Sequence, residues 1–178
     1  MKKQISMKNL ITTIAFAFVL LLSSNVNAQK FSKLDASPLD IAMSKDKSVK
    51  IVYSRPQLKG RDLNTLVQNG KMWRTGANEG TEITFNSDMT LGGKSVKAGT
   101  YTLTTIPGDK EWTILLNSNL GTWGGNAGSR YKKDTEVARF TGKASTSGDS
   151  IEAFSIAFDE AGAMHLGWGN VRVAVPMK

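Results

Sequence analysis

The sequence predicts an all-β protein: a single-domain antiparallel β-sandwich, with a barrel-like closure as the alternative, of about nine or ten strands and one short helix. Three observations predict it. Short runs alternate apolar and polar residues with period two. Turn-forming pairs rich in glycine, proline and asparagine separate these runs. No long helical pattern alternates with the strands, which argues against a parallel α/β sheet.

A targeting segment comes first. Lys2, Lys3 and Lys8 are basic, Leu10 to Leu22 is apolar, and Ser23, Ser24 and Val26-Asn27-Ala28 supply small residues. This is the pattern of a secretory signal peptide, residues 1–28, cleaved after Ala28. The apolar run is short for a membrane span, so no stable membrane insertion is expected once the signal is removed. The expected destination is periplasmic or secreted. Residues 29–48, with Ser37-Pro38 and Lys45-Asp46-Lys47, form a polar lead-in segment with room for one short strand.

The β domain is expected over 49–178. Val49, Ile51 and Tyr53 alternate with Lys50 and Ser54, and Arg55-Pro56 closes that strand. Asp62 is placed to cap a short helix carrying Leu63, Leu66 and Val67, which Gly70 stops. Thr81, Ile83 and Phe85 alternate with Glu82 and Thr84. Hairpins are expected at Gly92-Gly93, at Pro107-Gly108-Asp109-Lys110 and at Gly169-Asn170, where turn residues separate apolar runs. Further strands are expected over 136–143 and 151–159, the latter turning through Glu160-Ala161-Gly162. Trp112, Ile114 and Leu116 share one strand face, as do Phe154, Ile156 and Phe158, so both sets are core stripes. Residues 120–133 are a long glycine-rich stretch around Trp123, ending in Arg130-Tyr131; such a stretch is either functional or a connection whose tryptophan tucks over the core.

Composition narrows the chemistry. Removing 28 of 178 residues leaves 150, enough for one domain with a proper core. The signal holds three of the 23 Lys and Arg and none of the 15 Asp and Glu, so a net charge of +8 becomes +5. The cations are scattered and no nucleic-acid-binding motif is present, so no nucleic-acid partner is expected. With no cysteine, disulfides and thiol chemistry are excluded. With a single histidine, His165, a His-rich metal site within one chain is excluded. No cofactor and no metal are expected, and nothing in the sequence sets the oligomeric state.

The most specific string is at 71–79, Lys-Met-Trp-Arg-Thr-Gly-Ala-Asn-Glu. With Tyr53-Ser54-Arg55-Pro56, Lys59-Gly60-Arg61, Ala98-Gly99-Thr100-Tyr101 and Ile106-Pro107-Gly108 before Glu111-Trp112-Thr113, it resembles the exported domain-of-unknown-function family 2911 of Bacteroidota-type bacteria. The resemblance runs from about Val49 to the C-terminus; one departure is Gly80-Thr81-Glu82, where a small, more threonine-rich run is expected. It implies one β-rich domain behind a signal peptide and implies no activity.

The residues themselves suggest a site. Arg55, Arg61, Trp73, Arg74, Asn78, Glu79 and Trp123 gather an aromatic, amide and charged repertoire suited to a small polar, anionic or glycan ligand. Internal bracing is the competing reading: Arg74 would pair with Glu79 or Asp62 and Asn78 with loop backbone. The function expected is therefore non-enzymatic binding of such a ligand or of an envelope component. Two alternatives stand beside it. One is a carboxylate-based glycoside hydrolase acting on envelope polysaccharide with Glu79 and a second acid such as Asp62. The other is a structural envelope subunit, whose mark would be an apolar outward strand face. No catalytic residue is assigned: there is no hydrolase elbow, zinc-protease or phosphate-loop motif, and His165 is expected to point outward.

Overall fold

In the computed structural model, which describes residues 37–121 and 127–177, the expected alternations become antiparallel strands. The signal peptide, residues 29–36 of the lead-in segment and Trp123 lie outside the described residues. The strands are β1 (Leu39–Met43), β2 (Val49–Ser54), β3 (Thr81–Phe85), β4 (Met89–Leu91), β5 (Lys94–Val96), β6 (Gly99–Ile106), β7 (Glu111–Asn117), β8 (Glu136–Phe158) and β9 (Met164–Val175). Two four-residue helices accompany them, α1 (Leu63–Leu66) and α2 (Ala127–Arg130). As expected, Asp62 caps α1, its side chain accepting from the Asn64 amide at 2.8 Å.

Seven strands form one antiparallel sheet in the order β1-β2-β3-β6-β7-β8-β9, and β4-β5 is a separate hairpin. The strand expected within the lead-in is β1, which pairs with β2 from Leu39↔Ser54 to Met43↔Lys50, so the sheet begins ahead of Val49. The sheet curls into a half-barrel. After β2 the chain reaches the far end of β8: the Leu58 amide donates to the Glu152 carbonyl and the Phe154 amide to the Pro56 carbonyl, both at 2.9 Å. The Tyr53 hydroxyl accepts from the Ile156 amide at 2.9 Å across the same seam. The curled sheet thus faces itself across a single core, the barrel-like form of the expected sandwich.

One expected element is corrected. Gly169-Asn170 is not a hairpin turn, because β9 runs through it and the runs at 163–168 and 171–175 are one strand. Likewise the strands expected at 136–143 and 151–159 are two parts of β8. Pairing passes from Thr146↔Val171 to Ile151↔Gly169, so β8 carries extra residues there and the ladder is irregular. Gly169 takes a φ of 54°, and a positive-φ glycine followed by asparagine marks a strand irregularity as readily as a hairpin.

The inner face of the sheet holds the core. Ile51, Ile83, Leu103, Ile114 and Leu116 are fully buried, and Trp112, Phe154, Ile156, Leu166 and Trp168 join them. The two expected stripes therefore land in the core, with Phe158 half-buried against it. The outer face is unusual over β6 and β7. Thr102, Thr104, Leu115 and Asn117 alternate with core positions yet are also buried. The chain leaving β7 covers them. The Thr102 hydroxyl donates to the Asn119 carbonyl at 2.8 Å, and the Asn117 amide nitrogen to the Lys132 carbonyl at 2.7 Å.

Candidate functional site

The site is built on that covered outer face. The chain at Trp73 lies beside β6 just past the end of β3, whose last partner there is Leu103 opposite Thr81. The Trp73 amide donates to the Thr105 carbonyl at 2.7 Å, and the Thr105 amide returns a bond to the Trp73 carbonyl at 2.9 Å. Side chains in extended backbone alternate. Trp73 points inward, where it stacks on Trp168 and meets Phe154 and Trp112 edge-on. Thr75 is fully buried, its hydroxyl 3.1 Å from that of Thr105. Arg74, between them, reaches the outer face.

There Arg74 helps line a cleft with Gly80, Thr102, Thr104, Asn119, Arg130 and Tyr131, of about 30 Å³. Its two cations come from different segments, Arg74 from the 71–79 string and Arg130 from the end of α2. Arg74 also donates from Nη1 to the Asn78 carbonyl at 3.3 Å, which steadies the guanidinium. At the floor, Thr104 is 6% exposed, and its Oγ1 has no hydrogen-bond partner among the described residues. A buried hydroxyl is costly to leave unmatched, and most are satisfied.

Tyr131 is held in place rather than offered as a donor. Its hydroxyl bonds Glu136, whose carboxylate is also gripped by Arg139 Nε at 3.0 Å and Nη2 at 2.8 Å. Burial, followed by the Glu136 bond, pushes the Tyr131 phenol up to about 12. The Arg139 bond, with help from Tyr131, holds the Glu136 carboxyl down to about 2. Tyr131 thus presents a neutral ring to the cleft.

Of the residues expected to form a site, the structure brings Arg74 to this cleft and distributes the others. Trp73 belongs to the core. Arg55 ties the barrel seam: Nε donates to the Phe154 carbonyl at 3.0 Å, Nη2 to Ser155 at 2.8 Å, and Nη1 reaches Asp40 at 3.2 Å. Arg61 bonds the Leu58 and Gln57 carbonyls within its own loop. Asn78 is exposed with a φ of 57°, and its carbonyl receives the Arg74 bond. Glu79 accepts from the Ser54 hydroxyl at 2.7 Å and lines a neighbouring hollow with Gly80, Glu82, Val52, Leu39 and Tyr53, of about 280 Å³. Asp62, the second acid weighed for hydrolysis, is occupied as the cap of α1. Thr102, Thr104 and Asn119 were not among the expected site residues, and Arg130 and Tyr131 entered the expectation only as the end of the glycine-rich stretch. The available signal was the alternating row Thr100, Thr102, Thr104 on one strand face, followed by a glycine-rich stretch able to cover it.

Other chemistry is sparse. His165 Nε2 lies 2.8 Å from Asp159 Oδ2, on a side chain 43% exposed. That bond to His165 holds the Asp159 carboxyl below its ordinary value. Among the described residues no cluster of three or more His, Cys, Asp or Glu is placed to hold a metal ion.

Neither the curated proteins nor the solved structures compared with this chain include a match. A family model does match, over residues 37–177, and its span takes in all nine described strands, the 71–79 string and the residues that line the cleft. The chain belongs to the family described as "Protein of unknown function (DUF2911)".

Proposed function

We propose that this chain is a non-enzymatic binding domain of the cell envelope or its exterior, and that its ligand places an anionic group in the cleft over β6. The observation that carries the reading is the Thr104 hydroxyl, buried and unmatched among the described residues on the floor of a cleft flanked by Arg74 and Arg130. Two arginine forks and a hydroxyl donor suit a carboxylate or a similar oxyanion. The chemistry offered is recognition: two cations, hydroxyls and an aromatic wall. Isothermal titration of the purified chain with acetate, inorganic phosphate and neutral oligosaccharides tests it. The anions bind, and Arg130→Ala weakens them by about tenfold or more. Binding of neutral sugars alone, or anion binding indifferent to Arg130, overturns it. The N-terminal signature supports the envelope or exterior setting, and mass measurement of the exported product tests cleavage after Ala28.

One observation favours the structural-subunit alternative. Leu39, Ile41 and Met43 alternate along β1 and are 59%, 57% and 47% exposed, an apolar stripe on an outward strand face. If it seats a partner, crosslinking from Ile41 captures one discrete species; a monomer that yields no discrete product retires the alternative.

A further inference from the structure

The cleft over β6 is small, about 30 Å³. A water-sized group occupies about 10–15 Å³ of such space, so there is room for about two of them. Most polar groups in the lining are already committed. The Thr102 hydroxyl donates to the Asn119 carbonyl, the Asn117 amide nitrogen to the Lys132 carbonyl, and the Tyr131 hydroxyl bonds Glu136. Arg74 lines the cleft too, but it is engaged by the Asn78 carbonyl. Two donors remain to be considered. One is the Thr104 hydroxyl, buried and without a partner among the described residues. The other is the guanidinium of Arg130, at the end of α2.

We propose that this cleft selects a planar carboxylate over tetrahedral anions such as phosphates and sulfonates. This rests on the cleft's being an anion site and adds which anion it takes. A carboxylate presents two oxygens, one for the Thr104 hydroxyl and one for the Arg130 fork. A phosphate or sulfonate brings further oxygens, for which the cleft has neither the room nor an uncommitted donor. Charge alone would rank phosphate first, because at neutral pH it carries more than one negative charge and gains more from a nearby cation. Volume reverses that order. Thr104 stands on β6, which is paired on both sides by β3 and β7, so the floor cannot retreat without disturbing the sheet. Forcing extra atoms into a close-packed hollow moves its side chains at a cost.

The test is an NMR titration of the purified chain with acetate, acetamide, methanesulfonate and inorganic phosphate, read at the Thr102, Thr104 and Tyr131 amides. Acetamide has the shape of acetate without its charge. Methanesulfonate has the charge and the methyl group of acetate on a tetrahedral head. Acetate binds tightest, and each of the other three is weaker by about tenfold or more, the effect of losing one charge-assisted hydrogen bond. Phosphate or methanesulfonate that equals or exceeds acetate overturns the carboxylate selectivity and leaves the anion cleft standing. Acetamide that equals acetate, or no shift at those amides with any anion, overturns both. The comparison among ligands uses the parent chain, so it does not depend on any variant folding.

Discussion

Trp73 stacks on Trp168 inside the barrel, with ring centroids 5.6 Å apart and planes inclined by 19°, while the residue that follows it, Arg74, lines a cleft on the opposite face. Two adjacent residues of one string thus face the core and the cleft separately. Trp73→Ala removes a ring packed against Trp112, Phe154 and Trp168 and should cost about 3–5 kcal/mol of stability. Arg74→Ala should cost about 1 kcal/mol or less while weakening anion binding. Urea denaturation of both variants checks the contrast. Equal losses of stability would mean that Arg74 braces the fold.

Thr104 supplies a prediction with opposite signs in two assays. Valine has nearly the shape of threonine and no hydroxyl to leave unmatched. Thr104→Val should raise the stability of the ligand-free protein by about 1 kcal/mol, since it deletes a buried group without a partner among the described residues. The same variant should bind anions more weakly. Chemical denaturation and titration read the two effects. A fall in stability would show that the hydroxyl already contributes to the fold.

The Tyr131–Glu136–Arg139 cluster predicts a pH dependence. The Glu136 carboxyl is lowered from an ordinary 4.5 to about 2, chiefly by Arg139. A carboxyl depressed by folding contributes stability above its unfolded value and loses it as pH falls through the folded one. Its contribution is thus full above about 4.5 and fades toward 2. Arg139 is 44% exposed and solvent screens the pair, so the contribution is about 1 kcal/mol. Glu136→Gln should be less stable than the parent at neutral pH, with the gap closing between pH 4.5 and 2. Thermal melts across that range check this; a gap that stays constant contradicts it.

Two neighbouring glycines in the β4–β5 hairpin should respond differently to alanine. At Gly92, with φ +56°, a Cβ would sit 2.5 Å from Phe140 Cβ on β8. At Gly93, with φ +76°, nothing lies within 4 Å. Gly93→Ala carries backbone strain alone, about 1 kcal/mol, while Gly92→Ala adds a clash and should cost about 2–3 kcal/mol. Differential scanning calorimetry of the pair checks the order; equal costs would mean the hairpin is not seated on β8.

Most of the fold was legible because period-two alternation reports one buried face. Ile51, Ile83, Ile114 and Leu116 fell where their spacing put them. The Gly169-Asn170 error arose because a positive-φ glycine signals a bulge and a hairpin alike, and only the partner strand decides between them. The closure from Pro56 to Phe154 joins residues far apart in sequence, and no local pattern encodes it. The site was less legible for a related reason. Thr102, Thr104 and Asn117 read as outward polar residues of ordinary strands, and they are. What sets them apart is the chain that returns over them through Asn119 and Tyr131, a tertiary fact. Of the 71–79 string, Arg74 lines the cleft while its most conspicuous residue, Trp73, packs into the core.

The central claim is that the outer cleft over β6 receives an anion, and an amide-resolved NMR titration of the chain with acetate tests it by location. The account predicts progressive shifts concentrated at Gly80, Thr102, Thr104, Asn119 and Tyr131, lost in Thr104→Val and Arg130→Ala. Shifts that map to another face of the sheet, or that survive both substitutions unchanged, would contradict it.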